Sequence, residues 1–271
     1  MPTPLNPRVR DWRGLRVWLV GASSGIGAAL AAELLARGAR VALSARREAP
    51  LASLATGDRA LAVAMDVTDP ASVAAAHARV LGQWGAIDLT IWLAGTYAPM
   101  RAAQFDLEAA RRLVRVNLEG VLNGLAVLLP ALRRERRGGI AIVSSVAGYR
   151  GLPRALVYGP TKAALNNLAE SLYFDLHPLG IGVYLINPGF VQTPLTALND
   201  FRMPAMISAQ QAAQGILAGF GRGAFEIHFP GRFTRAMKAL QLLPYRAYFA
   251  LVRRLTGCDA APAARAEDAL Q

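Results

Sequence analysis

A parallel β-sheet covered by helices on both faces is the fold class this sequence predicts, and three observations predict it. Short apolar runs alternate with helical patterns at a steady rhythm, as parallel strands joined by crossover helices do. The first run passes directly into a glycine-rich turn and an Ala/Leu-rich helix. Residues with evident chemistry (Gly21, Asp66, Gly95, Ser145, Pro188) stand at or just past the ends of the runs, where ligands bind in such sheets. At 271 residues, 54% hydrophobic and 18% charged, the chain can bury a large core, and a single domain over 1–271 is expected.

The first strand is Arg16–Val20, ending in VWLV. It leads into GASSGIG, in which Gly21, Ser23, Ser24, Gly25, Ile26 and Gly27 form a tight turn into a helix with Gly38 past its end. A glycine cluster alone marks only a turn. Strand, glycine turn and helix together offer N–H groups at a helix start to a pyrophosphate. The second strand, Arg40–Ala45, ends eighteen residues after Gly27, near where an NAD site places an acid on the ribose hydroxyl. Here Ala45 is followed by Arg46 and Arg47. Guanidiniums in place of a carboxylate suit a 2′-phosphate, so NADP(H) is preferred over NAD(H); ordinary surface charge is the alternative.

Leu61–Val67 reads as a third strand with Asp66 at its end, placed to accept from an adenine amino group or to cap the helix starting near Pro70. Asp88–Leu93 is a fourth, closing on Ala94 and Gly95. Phe105 to Arg137 is one long helical pattern with Asn117 about halfway, a position where an Asn is ordinarily solvated or otherwise satisfied. Gly138 and Gly139 stop it, IAIVSS makes a fifth strand, and a helix runs from Leu156 to about Leu176. Val183–Gly189 is the sixth strand, running through Pro188 and Gly189 to a turn with Val191 and Thr193.

Tyr158 and Lys162 stand four apart, and Ser145 precedes the tyrosine by thirteen. On a helix the first two share a face. A phenol titrating near ~10 is a poor acid or base at neutral pH, and a nearby cation would bring it toward the working range. A serine hydroxyl from a strand end could hydrogen-bond a carbonyl oxygen held beside the phenol. Such a Tyr/Lys pair also occurs on ordinary helices, so the rest of the chain must decide its meaning.

The other function classes have less support. One cysteine, Cys258, and three scattered histidines (His77, His177, His228) support neither a disulfide framework nor a metal site, and a cytoplasmic location is expected. The N-terminus lacks the apolar core of a secretory signal, and no run of eighteen apolar residues suggests a membrane span. The net charge of +12, nearly all arginine, favours anionic partners, but nucleic acid is not expected because no basic tract is interleaved with aromatics.

Together these motifs resemble the short-chain dehydrogenase/reductase family. GASSGIG, Asn117 in VNLEG, Ser145, Tyr158-x-x-x-Lys162 and NPGFVQT ending at Thr193 match its pattern in order and spacing over about 14–195. The resemblance implies a Rossmann-type, doubly wound sheet of about seven strands with a nicotinamide cofactor across its carboxyl edge. It also implies roles. Tyr158 is the proton donor or acceptor. Lys162 depresses the tyrosine pKa and holds the nicotinamide ribose. Ser145 positions the substrate oxygen, Asn117 supports a water linking Lys162 to solvent, and Thr193 touches the carboxamide. Gly21, Ser23, Ser24, Gly25, Ile26, Gly27, Arg46, Asp66, Val67, Ala94, Gly95, Tyr158, Lys162, Pro188, Gly189, Val191 and Thr193 are the expected cofactor-binding residues. Two positions depart from the pattern: Val20 replaces a threonine and Leu93 replaces an asparagine that normally braces the sheet.

The expected activity is NADP-dependent hydride transfer between nicotinamide and a ketone or secondary alcohol. A catalytically silent NADP-binding sensor and a peripheral membrane-associated protein are the alternatives. In the substrate-loop region, 193–230, the segment after Thr193 carries Leu195, Leu198, Phe201, Met203, Met206 and Ile207, which suits an apolar or lipid-like substrate. Residues 231–271 form a basic, apolar extension ending in a loose tail from Cys258. Packing of this extension on the body or on a second subunit is favoured over contact of 231–256 with a membrane surface. A homodimer or homotetramer is expected by resemblance.

Overall fold

The computed structural model describes residues 3–199, 201 and 203–257; the expected tail from Cys258 lies outside the described residues. In chain order the elements are β1 (Arg16–Val20), α1 (Gly25–Ala36), β2 (Arg40–Ala45), α2 (Glu48–Leu54), β3 (Ala60–Ala64), α3 (Pro70–Trp84), β4 (Leu89–Trp92) and α4 (Leu107–Val114). There follow α5 (Gly120–Glu135), β5 (Gly139–Val143), α6 (Tyr158–Leu176), β6 (Gly182–Pro188), α7 (Ala209–Arg222), β7 (Glu226–Phe229), α8 (Gly231–Gln241) and α9 (Tyr245–Thr256).

Among the described residues seven strands form one parallel sheet in the order β3-β2-β1-β4-β5-β6-β7. Strand side chains alternate between two cores because successive residues point to opposite faces. Val17 and Leu19 of β1 join Leu30 and Leu34 of α1 and Ile216 and Phe220 of α7. Trp18 and Val20 join Val73 of α3, Leu125 of α5 and Leu165 of α6. Chain order reverses on either side of β1, between β2 and β4, and the crevice at the carboxyl ends opens there.

Three local differences from the sequence reading have physical causes. Strand β3 ends at Ala64, so Asp66 lies two residues past it, in a turn where its carboxylate accepts from the Thr68 N–H and hydroxyl at 2.9 and 2.8 Å. The cap of α3 is Asp69, which accepts from the Ala71 N–H at 2.9 Å. The single helical pattern of 105–137 resolves into α4, a π-helical turn over Arg115–Glu119, and α5.

The combined helix Leu107–Glu135 is long and apolar enough to cross a membrane. Its buried stripe, Leu113, Val121, Leu125, Leu128 and Leu132, makes it a core helix instead. Helices α8 and α9 pack on the body: Tyr248 and Val252 are buried, and the Tyr248 hydroxyl donates to the Gly151 carbonyl at 2.6 Å. Arg150 lies 3.9 Å from the Tyr248 ring centroid and donates to the Leu240 and Leu243 carbonyls at 2.9 and 2.8 Å, closing the end of α8.

Helix α5 approaches the sheet so closely that a Cβ on Gly124 would fall 2.2 Å from Trp92 Cζ3. In an exposed helix, Gly→Ala gains about 1 kcal/mol, whereas forcing a buried indole aside costs about 1–3 kcal/mol. Gly124→Ala is therefore expected to lower stability, read as a reduced urea midpoint at unchanged m-value.

Candidate active site

The site forms where β5 ends and α6 begins. Tyr158 is the first residue of α6, and Lys162 lies one turn further along the same face. Lys162 is 4% exposed, and its ammonium donates to the Val143 carbonyl at the end of β5 over 3.0 Å. The Ser144 hydroxyl donates back to the Lys162 carbonyl at 2.7 Å, joining the strand end to the helix. Ser145 starts the next turn and accepts from the Ala147 N–H at 3.1 Å; its hydroxyl also hydrogen-bonds Tyr158.

Asn117 lies in the π-helical turn and is wholly buried. The wider turn carries one extra residue, and here it places an amide against the loop after β4. Its Oδ1 accepts from the Thr96 N–H at 2.7 Å, and its Nδ2 donates to the Thr96 carbonyl at 3.0 Å and to Thr161 Oγ1 at 3.2 Å. Thr161 in turn donates to the Tyr158 carbonyl at 2.7 Å. A Cβ on Gly95 would lie 3.3 Å from Asn117 Oδ1 and 3.5 Å from Lys162 Nζ, so β4, the π turn and α6 meet at one point.

Burial sets the protonation of the pair. Burial raises the Tyr158 phenol to about 12, with Tyr97 adding to the rise and the Ser145 hydrogen bond opposing it. Burial also lowers Lys162 to about 8. The expectation that Lys162 lowers the tyrosine pKa is therefore not met in the protein by itself. Nζ is turned to the Val143 carbonyl and stands 5.8 Å from the phenol ring centroid, and lost hydration outweighs the attraction.

A cleft of about 620 Å³ runs from this pair to the start of α1. It is lined by the turn residues Gly21, Ser23, Ser24, Gly25, Ile26 and Gly27, and by Arg46, Asp66, Val67, Ala94 and Gly95. On the side of α6, Ser145, Tyr158, Lys162, Pro188, Gly189, Val191 and Thr193 complete it. Asn117 stands behind the wall, bonded to Thr96, which lines the cleft. Close approach enforces two of the glycines: a Cβ on Gly21 would meet the Ala94 nitrogen at 2.6 Å, and one on Gly27 the Gly21 oxygen at 2.2 Å. Leu93, at the departed asparagine position, packs on the core, while its N–H still donates to the Val20 carbonyl at 2.7 Å.

Sequence reasoning missed Tyr97. Its ring meets Tyr158 edge-on at 5.0 Å between centroids, and its hydroxyl donates to Asn199 Oδ1 at 2.8 Å, tying the segment after Thr193 to Tyr158. The available signal was an aromatic two residues past Gly95, on a loop leaving a strand end. Ser144, Thr96 and Thr196 also line the cleft and were not singled out.

Comparison with known proteins identifies this arrangement. The family profile described as short chain dehydrogenase matches residues 16–201. A Myxococcus xanthus protein described as an uncharacterized oxidoreductase is 34% identical over 242 residues, covering 88% of this chain and 96% of its own. A Burkholderia cenocepacia short chain dehydrogenase, solved in complex with NADP, superposes with a TM-score of 0.78 at 29% identity, covering 93% of this chain and 100% of its own. A 3-ketoacyl-(acyl-carrier-protein) reductase from Brucella melitensis, complexed with NADH, superposes with a TM-score of 0.74 at 26% identity, covering 81% of this chain and 98% of its own.

A lysine lowered to about 8 binds fewer protons folded than unfolded, where it titrates near 10.5. Stability therefore rises with pH between those values, and the cost of Lys162 is greatest below pH about 8. Lys162→Met should stabilise the fold at pH 7 by about 1–3 kcal/mol while impairing function, and its advantage should shrink as pH rises past 8. Chemical denaturation across that pH range measures the difference.

Proposed function

This chain belongs to the short-chain dehydrogenase/reductase family and is an NAD(P)-dependent oxidoreductase, and on that premise we propose that it transfers hydride between NADP(H) and an apolar, lipid-like ketone or secondary alcohol. The observation that carries this reading is the convergence of the Ser145 and Tyr158 hydroxyls and the Lys162 ammonium on one cleft that begins at a helix start.

The cleft fits a nicotinamide dinucleotide. Gly21 and Gly27 leave room that a Cβ would fill, and the Ser24 side chain makes no capping hydrogen bond, leaving the first N–H groups of α1 to a pyrophosphate. Arg46 and Arg47 border the cleft where β2 ends, which supports a 2′-phosphate, as does the NADP of the Burkholderia relative. When bound, the nicotinamide supplies or takes the hydride.

The chain's own residues handle orientation and the proton. Ser145 holds the substrate oxygen beside the phenol. In reduction Tyr158 would give its proton to that oxygen, which becomes the alcohol hydroxyl; in oxidation the phenolate would take that proton back. Lys162 would hold the ribose hydroxyls and, when protonated, would stabilise the phenolate left by the transfer. Asn117 holds Thr96 and Thr161, and through them the loop and helix that bear the reacting groups. The segment after Thr193 is the substrate wall, and its exposed Leu198 and Met206 support an apolar compound. In this reading the chain folds as one domain and works as a homodimer or homotetramer, with Phe174 of α6, which is 78% exposed, in the contact.

Tyr158→Phe should reduce turnover by about 10²–10⁴-fold. NADPH binding, followed by fluorescence, should stay within a few-fold because only the hydroxyl is removed. Replacing Arg46 and Arg47 by Ala should weaken NADPH by about 10–100-fold, the worth of a charge-assisted contact, and leave NADH unchanged. Long-chain ketones should outperform short polar ones in a substrate panel; the reverse order would sink the apolar assignment.

A further inference from the structure

Packing of α9 on the body uses a narrow line, Tyr248 and Val252, one turn apart. Among the described residues, nothing covers several apolar side chains beside that line. Leu242 is 86% exposed, Tyr245 71%, Phe249 55% and Leu255 69%. In helical projection Tyr245 and Phe249 lie on one side of the buried line and Leu251 and Leu255 on the other, while Arg246 and Arg254 take the opposite, polar face. Tyr245 and Phe249 stack with centroids 5.7 Å apart, extending the apolar edge from the exposed Leu242.

The charge pattern selects the occupant. From 227 to 257 the chain has no aspartate or glutamate, and the cations whose charge bears on this face are Arg232, Arg235, Lys238, Arg246 and Arg254. Lys238 is paired with Glu226, which lies just outside that interval. A second copy seated on this face through a two-fold axis would bring the same arginines together, and like charges oppose it. An acidic polypeptide or nucleic acid would answer the arginines but leave the protruding Leu242, Phe249 and Leu255 without a counterpart. A bilayer carrying anionic headgroups answers both, with acyl chains for the apolar edge and phosphates for the guanidiniums.

We propose that α8 and α9 rest on an anionic membrane surface, with Leu242, Tyr245 and Phe249 dipping into it and Arg246, on the neighbouring face of α9, at headgroup level. The face adjoins the substrate side of the cleft. Phe233 of α8 lies 5.7 Å from Phe190, which lies 5.9 Å from Phe201 of the segment after Thr193. Docking would thus bring the cleft mouth to the lipid. This step is independent of the substrate assignment, because vesicle binding needs neither turnover nor cofactor.

Co-sedimentation of the full chain with vesicles of phosphatidylglycerol and phosphatidylcholine, and with phosphatidylcholine alone, tests it. The expected result is binding to the anionic vesicles, lost at high salt, and weakened by about tenfold or more in both Leu242→Ser/Phe249→Ser and Arg246→Gln/Arg254→Gln. Both variants change exposed residues, so urea midpoints should match the parent and separate lost binding from lost folding. Failure to sediment with anionic vesicles would overturn the proposal, as would equal binding to neutral ones. It would also be overturned if Leu242→Ser/Phe249→Ser dissociated an oligomer in light scattering while vesicle binding persisted, since the face would then belong to a second copy.

Discussion

Lys162 keeps an ammonium inside the protein, donating to the Val143 carbonyl, and lost hydration pulls its pKa down to about 8. The surrounding architecture serves that placement. β5 ends where its last carbonyl can accept from Nζ, Ser144 fastens the helix backbone to the strand end, and the π turn holds Asn117 against the loop that flanks the ammonium. Lys162 is one of only two lysines in the chain, with Lys238, among thirty Lys and Arg residues. At Lys162 an arginine would not serve, because its proton affinity is too high for burial to bring it near neutrality.

Burial therefore pushes the two groups toward their neutral forms, the phenol upward and the ammonium downward. Tyr158 at about 12 stays protonated near neutral pH, and Lys162, at about 8, is still mostly charged there but carries the full cost of its lost hydration. A ligand that adds hydrogen-bond acceptors beside Nζ would favour the charged lysine, and a charged lysine would favour the phenolate. Keeping this charge buried costs stability at a single position.

Much of this was legible in the sequence, for local reasons. Buried parallel strands leave continuous apolar runs, so β1 and β2 were bounded as observed. The glycine turn was legible because only glycine tolerates the contacts at Gly21 and Gly27. What escaped was long-range or subtle. β7 is four residues long and half-buried along alternate positions, and no run announced it. The π turn differs from an α-helix by one residue's spacing, so Asn117 read as a mid-helix polar residue. Tyr97 acquires its meaning only when the loop after β4 folds over α6 and meets Asn199, 102 residues away. The pKa reversal at Tyr158 was not readable either, because spacing along a helix reports which side chains share a face, not how much water remains there.

The physical premise can be examined with the protein as it stands. Labelling lysine with ¹³C at Cε yields two side-chain signals, and Lys162→Met identifies which belongs to Lys162. Followed by NMR through a pH titration of the free protein, that signal is expected to titrate with a midpoint near 8. A midpoint near the ordinary 10.5 would contradict the claim that burial of this ammonium governs the site.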